Sequence, residues 1–197
     1  MKKNKIRDLE NNIFELMQEL QKLQKENVQQ EVKNYDFSTL NGKSNLLDYF
    51  EDKDKLLVIH NMGQGCRYCT LWGDGINSFL PHLESAISVI LVSKDSPNEQ
   101  RKFANDRNWN FKMASHKGKD YMKDQVSDEN YENSPGAVLY LRENNKIYRK
   151  NDCVFGPGDI YCSIWSFLSL AGISDSDWTP QFSYWKRPEK LDDGGKN

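Results

Sequence analysis

No stretch of this 197-residue chain runs to about 18 consecutive apolar residues, so the sequence offers no helix able to span a bilayer. Neither sign of charge prevails. Lys and Arg total 27 against 29 Asp and Glu, a net charge of −2, which gives no reason to expect nucleic acid or an anionic membrane as a partner. The sequence holds no phosphate loop, no metal-ligand cluster and no hydrolytic triad, so neither a metal nor any other cofactor is expected. Four cysteines are too few for the scaffold of a secreted disulfide-rich domain. The basic start, Met1-Lys2-Lys3-Asn4-Lys5, leads into glutamates and glutamines where a signal peptide needs an apolar core, and the expected compartment is the cytoplasm.

What the chain does have is enough apolar material, 37% hydrophobic and 12% aromatic, for one sizeable core. Residues 1–33 read as a separate amphipathic helix. Ile6, Leu9, Ile13, Leu16, Leu20 and Leu23 form a heptad stripe that neither Gly nor Pro interrupts over 5–33, with Asn27 at the next position. Such a stripe packs on its own domain or on a second copy, so a homodimer through 5–33 is one expectation. Residues 34–173 then alternate strand and helix: strands at Leu56–His60, Ile87–Val92 and Phe111–Ala114, with helices at Cys66–Leu83 and from Pro97 to about Asn108. A hairpin about Glu143-Asn144-Asn145 and a last helix over Ile160–Ala171, closed by Gly172, complete the order. Two βα units followed by ββα make an α/β chain of thioredoxin-like order. The polar stretch from His116 to Asn133 is too long for an ordinary connection and suggests a functional or mobile segment. In the tail, 174–197, Trp178, Phe182, Tyr184 and Trp185 are expected to pack on the domain before a charged end.

The chemistry centres on Cys66-Arg67-Tyr68-Cys69, which follows an apolar strand and opens a helix. A thiol at a helix start faces unpaired N–H groups and the positive end of the dipole, so its thiolate is favoured, and Arg67 adds positive charge. Cys66, the more exposed, is the expected nucleophile, and Cys69, one turn in, the resolving thiol. A half zinc site is the rival reading; structural zinc takes four ligands, and Cys153 and Cys162 stand nine apart rather than as a second close pair. Arg67 and Tyr68 are expected to contact substrate, with Tyr68 exposed, whereas Trp72 reads as core. Gly63 and Gly65, with Asn61 and Gln64, build a loop where close backbone approach is possible. His60 could relay a proton but reads better as structural, and His82 and His116 earn no role. Cys153 and Cys162 read as small buried hydrophobes or surface thiols. Gly73 and Gly75 suggest a kinked or loose active-site helix.

With CxxC after the first core strand and Ser134-Pro135-Gly136 before the hairpin, the chain resembles thioredoxin-fold proteins. That resemblance implies a cis bond at Pro135 beside the CxxC, and substrate contacts at Ser134 and Pro135. A closer resemblance is to the DUF899 family, thioredoxin-like proteins predicted to be dithiol-disulfide oxidoreductases. It rests on Val32–Phe37, Gly65–Trp72, Leu91-Val92-Ser93, Arg107-Asn108-Trp109-Asn110-Phe111 and Pro135-Gly136. It implies a thiol–disulfide oxidoreductase acting on protein or small-molecule disulfides or thiols. Two alternatives stay open. One is a peroxiredoxin-like peroxidase, although Gly63 and Ile59 occupy the positions where the Pro-x-x-x-Thr/Ser-x-x-Cys frame needs its hydroxyl and its proline. The other is a non-catalytic thioredoxin-fold module dimerising through its first helix.

Overall fold

A computed structural model describes residues 2–125 and 133–182. The chain begins with α1 (Lys2–Glu26), a 25-residue helix. It ends seven residues short of the expected boundary because Asn27 leaves the helix to bond the domain. Its amide donates to the Lys150 carbonyl at 2.8 Å and to Asn151 Oδ1 at 3.0 Å. The polar Gln30–Val32, which carries no strand signal of its own, becomes β1 by pairing with a later strand. The hairpin β2 (Asp36–Thr39) and β3 (Gly42–Asn45) turns at Leu40-Asn41, one residue ahead of the Asn41-Gly42 pair, and a 3-10 turn follows at Leu46–Phe50.

The remaining elements are β4 (Lys55–His60), α2 (Arg67–Ser78), α3 (Leu80–Glu84), β5 (Ser88–Ser93), α4 (Pro97–Asp106), β6 (Lys112–His116), α5 (Lys119–Asp124), β7 (Gly136–Glu143), β8 (Lys146–Val154) and α6 (Ile164–Leu170). They form one eight-stranded sheet of order β1-β8-β7-β4-β5-β6-β2-β3. Its centre, β4-β5-β6, is parallel, and β7 joins β4 antiparallel. Thus β8-β7-β4-β5, with α2 crossing from β4 to β5, is the thioredoxin-like arrangement expected, extended at both edges.

Helices cover both faces. Leu56 and Val58 of β4 point into a core with Phe37, Phe50, Tyr121 and Tyr140, under the 3-10 turn and α5. Ile59 points the other way, into a core with Trp72, Ile76, Leu80, Trp109 and Trp165, under α2, α4 and α6. The period-two alternation of a strand therefore decides which residues can stand near α2.

Three helices depart from expectation. α2 passes through Gly73 and Gly75 without a break and stops at Phe79, before Pro81 opens α3. Gly73 is needed there, since a Cβ at that position would lie 2.5 Å from the Trp109 ring. α6 starts at Ile164 rather than Ile160, because the Asp159 carboxylate holds the N–H groups of Tyr161 and Cys162 in a turn. Gly172 closes α6 with φ +75°, as the sequence predicts. The polar stretch after β6 contains α5, whose Tyr121 is buried; residues 126–132 lie outside the described residues, as do Tyr184 and Trp185. Among the described residues no helix is long and apolar enough to cross a membrane.

Candidate active site

The loop from β4 into α2 is built by short-range bonds. Asn61 N–H donates to Val92 O at 2.9 Å, extending the β4–β5 ladder by one bond. Its side-chain Oδ1 then accepts the Gly63 N–H at 2.8 Å. Gly63 has φ +122°, and a Cβ there would meet the Asp95 carboxylate at 3.0 Å. This residue must be glycine on both counts. Asp95 also accepts the Gln64 N–H at 2.6 Å, so a carboxylate after β5 fixes the approach to the cysteines. Ser115 donates its hydroxyl to the Asp95 carbonyl at 2.5 Å and Gln100 its amide at 2.9 Å.

Cys66 is the N-cap of α2, with φ −97° and ψ 102°, and its Sγ accepts the Cys69 N–H at 3.1 Å. Its carbonyl receives both the N–H and the hydroxyl of Thr70 at 3.0 Å. The two sulfurs are paired as a disulfide, with the Cα atoms 5.3 Å apart. Cys66 is half-buried and Cys69 is 4% exposed, so Cys66 is the more accessible residue of the pair. A thiolate at Cys66 after reduction would stand at the positive end of the helix dipole, beside the N–H that it already accepts.

Arg67 and Tyr68, the expected substrate contacts, are both half-buried. One guanidinium nitrogen of Arg67 is buried with no hydrogen-bond partner among the described residues. Tyr68 leans towards Trp72, centroids 6.2 Å apart, and is less free than a solvent-facing contact would be. Trp72 is core, as expected: it is 2% exposed and stacks on Phe155 at 5.6 Å with the rings 3° from parallel. Its indole N–H donates to Asp159 Oδ2 at 3.0 Å, and the same carboxylate accepts N–H groups from Gly156, Tyr161 and Cys162. Asp159 thus ties α2 to the β8–α6 connection.

The segment Ser134-Pro135 differs from the thioredoxin pattern. Among the described residues no peptide bond is cis, and Ser134–Pro135 is trans. The chain enters its ladder directly here: Pro135 O accepts the Phe155 N–H at 2.8 Å, and Gly136 pairs with His60 and Val154. Ser134 is buried at 3% exposure. The cis-proline docking geometry implied by the resemblance is therefore not present, although Pro135 stands at the sheet end from which the CxxC loop departs.

His60 lies on the face of β4 opposite to Ile59 and α2, which removes it as a relay to the thiols. It is buried with His116 and Tyr121, centroids 5.4 and 5.8 Å away. Its Nδ1 meets Tyr121 Oη at 3.1 Å and its Nε2 meets Asn133 Oδ1 at 2.8 Å. Burial holds its pKa down to about 4, and burial with the Lys94 charge lowers that of His116. His116, given no role from sequence, is part of this buried cluster. Cys153, on β8, is half-buried and its thiol is pushed up to about 11 by burial; Cys162 is buried beside Trp165. Neither is in a disulfide. Asp95 and Asp159 were not legible as site builders; for Asp95 the Ser96-Pro97-Asn98-Glu99 capping box that follows it was the available signal.

The family described as "Bacterial protein of unknown function (DUF899)" matches residues 7–189. Among curated protein sequences none matches. Among solved structures the chain is similar to a cysteine-to-serine mutant of Xanthomonas campestris peroxiredoxin Q, with TM-score 0.54 and 14% identity, covering 71% of this chain and 96% of that one. It is also similar to peroxidoxin BcpB from Mycobacterium tuberculosis, with TM-score 0.50 and 13% identity, covering 74% and 94%. At such identities these likenesses concern the fold.

Proposed function

Because the chain belongs to the DUF899 family and carries a cysteine pair on a thioredoxin-like fold, we propose that it is a thiol–disulfide oxidoreductase. The observation that carries this reading is the placement of Cys66 as the half-buried N-cap of α2, its Sγ accepting the Cys69 N–H, with Cys69 buried one turn away. In the reduced protein the Cys66 thiolate attacks one sulfur of a substrate disulfide. A mixed disulfide forms and the first substrate thiolate leaves. Cys69 then loses its proton and attacks Cys66 Sγ, releasing the second substrate thiolate and closing Cys66–Cys69. Two electrons pass to the substrate, and an external dithiol must return them. Arg67, Tyr68, Ser134 and Pro135 are the proposed substrate-side residues, and the cytoplasm the proposed compartment.

The peroxiredoxin fold likeness admits a second reading, in which Cys66 is oxidised to a sulfenic acid by peroxide and Cys69 condenses with it, releasing water. Gly63 and Ile59 stand against it, since neither supplies the hydroxyl or the proline of a peroxide-activating frame. Redox titration with alkylation and mass spectrometry separates these readings. A reversible two-electron transition between about −300 and −120 mV is expected for a working dithiol. Cys69→Ser should trap mixed disulfides and Cys66→Ser should trap none. Absence of a disulfide at any poise would refute the mechanism, and rapid peroxide consumption by the reduced protein would favour the second reading.

A further inference from the structure

Helix α1 carries a face that nothing else among the described residues covers. From Asn4 to Glu26 every described side chain is exposed except Gln24, which is half-buried. The heptad stripe is among the exposed residues, Ile13 at 57% and Leu16 at 64%, and Phe14 and Met17 widen it. A contiguous apolar strip of this kind marks an interface. Its 3-4 spacing is also self-complementary, so the surface that fits it best is the same helix from another copy.

The strip continues onto the domain. Leu20 and Leu23 form one wall of a cleft of about 650 Å³ whose other wall is Cys153, Val154 and Tyr161. The cleft cannot close by the helix folding down. The Asn27 bonds pin the helix root, Asn151 donates its amide to Gln24 O at 3.0 Å, and Lys150 donates to Lys25 O at 3.1 Å. The space is an open trough with one apolar wall from the helix and one from the end of β8 and the turn that follows it.

Direction follows from charge and shape. Over its first half α1 carries Lys2, Lys3, Lys5 and Arg7 against Asp8 and Glu10, with no acid in its first turn, whereas over residues 14–26 the acids Glu15, Glu19 and Glu26 outnumber Lys22 and Lys25. Parallel helices would bring two basic starts together, align two dipoles and crowd two domains at one end. Antiparallel helices oppose the dipoles and bring the start of each helix to the trough at the end of the other. Independently of the redox reading, we propose that two copies associate through α1 as an antiparallel pair, each lodging its first helical turns in the other's trough. In this register Ile13 meets Leu16 of the second copy at the centre. Ile6 and Leu9 lie against Leu23 and Leu20, and Lys5 lies beside Glu26.

Light scattering and sedimentation of the full chain test this. The expected mass is twice the 23.0 kDa of one chain. Ile13→Asp with Leu16→Asp should give a monomer whose domain still unfolds cooperatively. Lys5→Glu, an exposed change that leaves the fold alone, should weaken the dimer about tenfold, and adding Glu26→Lys should restore it. A monomer at every concentration would overturn the proposal, whether residues 183–197 or another protein then covered the stripe. A dimer indifferent to the Ile13/Leu16 change would overturn the helix as the seam. A charge-swapped double variant as weak as Lys5→Glu would overturn the antiparallel register.

Discussion

Gly73 and Gly75 stand two residues apart in α2, and alanine at the two should act in opposite directions. Both positions are helical, and replacing either glycine recovers about 1 kcal/mol of helix propensity. At Gly75 no atom of the described residues lies within 4 Å of the added methyl, so Gly75→Ala should stabilise the fold by up to about 1 kcal/mol. At Gly73 the methyl would stand 2.5 and 2.6 Å from two carbons of Trp109, about 1 Å inside ordinary contact. Trp109 cannot swing away easily. Its indole N–H donates to Asp74 Oδ1 at 2.8 Å, and Phe103 and Phe111 hold it edge-on at 5.4 and 5.8 Å. Overpacking of this kind costs about 1–3 kcal/mol, so Gly73→Ala should fall about 2 kcal/mol below Gly75→Ala. In melting temperature that gap is roughly 4–8 °C for a domain of this size. Urea unfolding followed by circular dichroism and tryptophan fluorescence would read it. Two variants stabilised alike would refute the close approach of Trp109 to α2.

Acid should weaken the fold through its buried histidines. Between its ordinary pKa of 6.5 and its folded value of about 4, His60 binds more proton when unfolded, so stability present above about 6.5 is lost as the pH falls to about 4. The loss is at most about 1.4 kcal/mol per pH unit. His116 acts in the same sense, and His60→Gln should flatten the slope; a native chain equally stable across that range would contradict the burial argument. Asp159→Ala strands the Trp72 indole N–H in the core, and a loss of about 2 kcal/mol is expected in denaturant titration. No change would mean that water reaches Trp72. Cys153, raised from 9.0 to about 11, should carry about a hundredfold less thiolate than an ordinary cysteine at neutral pH. Peptide mapping after brief alkylation of reduced protein should find Cys66 modified well before it, and the reverse order would refute the assignment of the reactive thiol.

The central order of the fold was legible because its signals are local. Apolar runs such as Ile87–Val92 and the Ser96-Pro97 helix start need no distant partner to be read. β1 escaped because Gln30-Glu31-Val32 has no strand pattern and exists only through pairing with β8. The end of α1 escaped for the same reason, since the residue that stops it, Asn27, does so by reaching across to Lys150 and Asn151. At the site, the cysteines and the core role of Trp72 could be read from spacing. Asp95 and Asp159 could not, because each acts on backbone or indole donors supplied by other segments. The trans bond at Pro135 was hidden by the resemblance, which supplied a cis bond that the direct entry into β7 does not use.

The two borders of the sheet are β1 and β3, three and four residues long. β1 carries Glu31, bonded to Lys146 at 2.9 Å, and β3 carries the exposed Lys43. Short borders with charge on them offer little ladder for a neighbouring chain to extend. Eight strands are thus shielded from fibril-like growth on both sides, and crowding in a concentrated solution should leave the sheet a closed unit while copies meet elsewhere on the molecule.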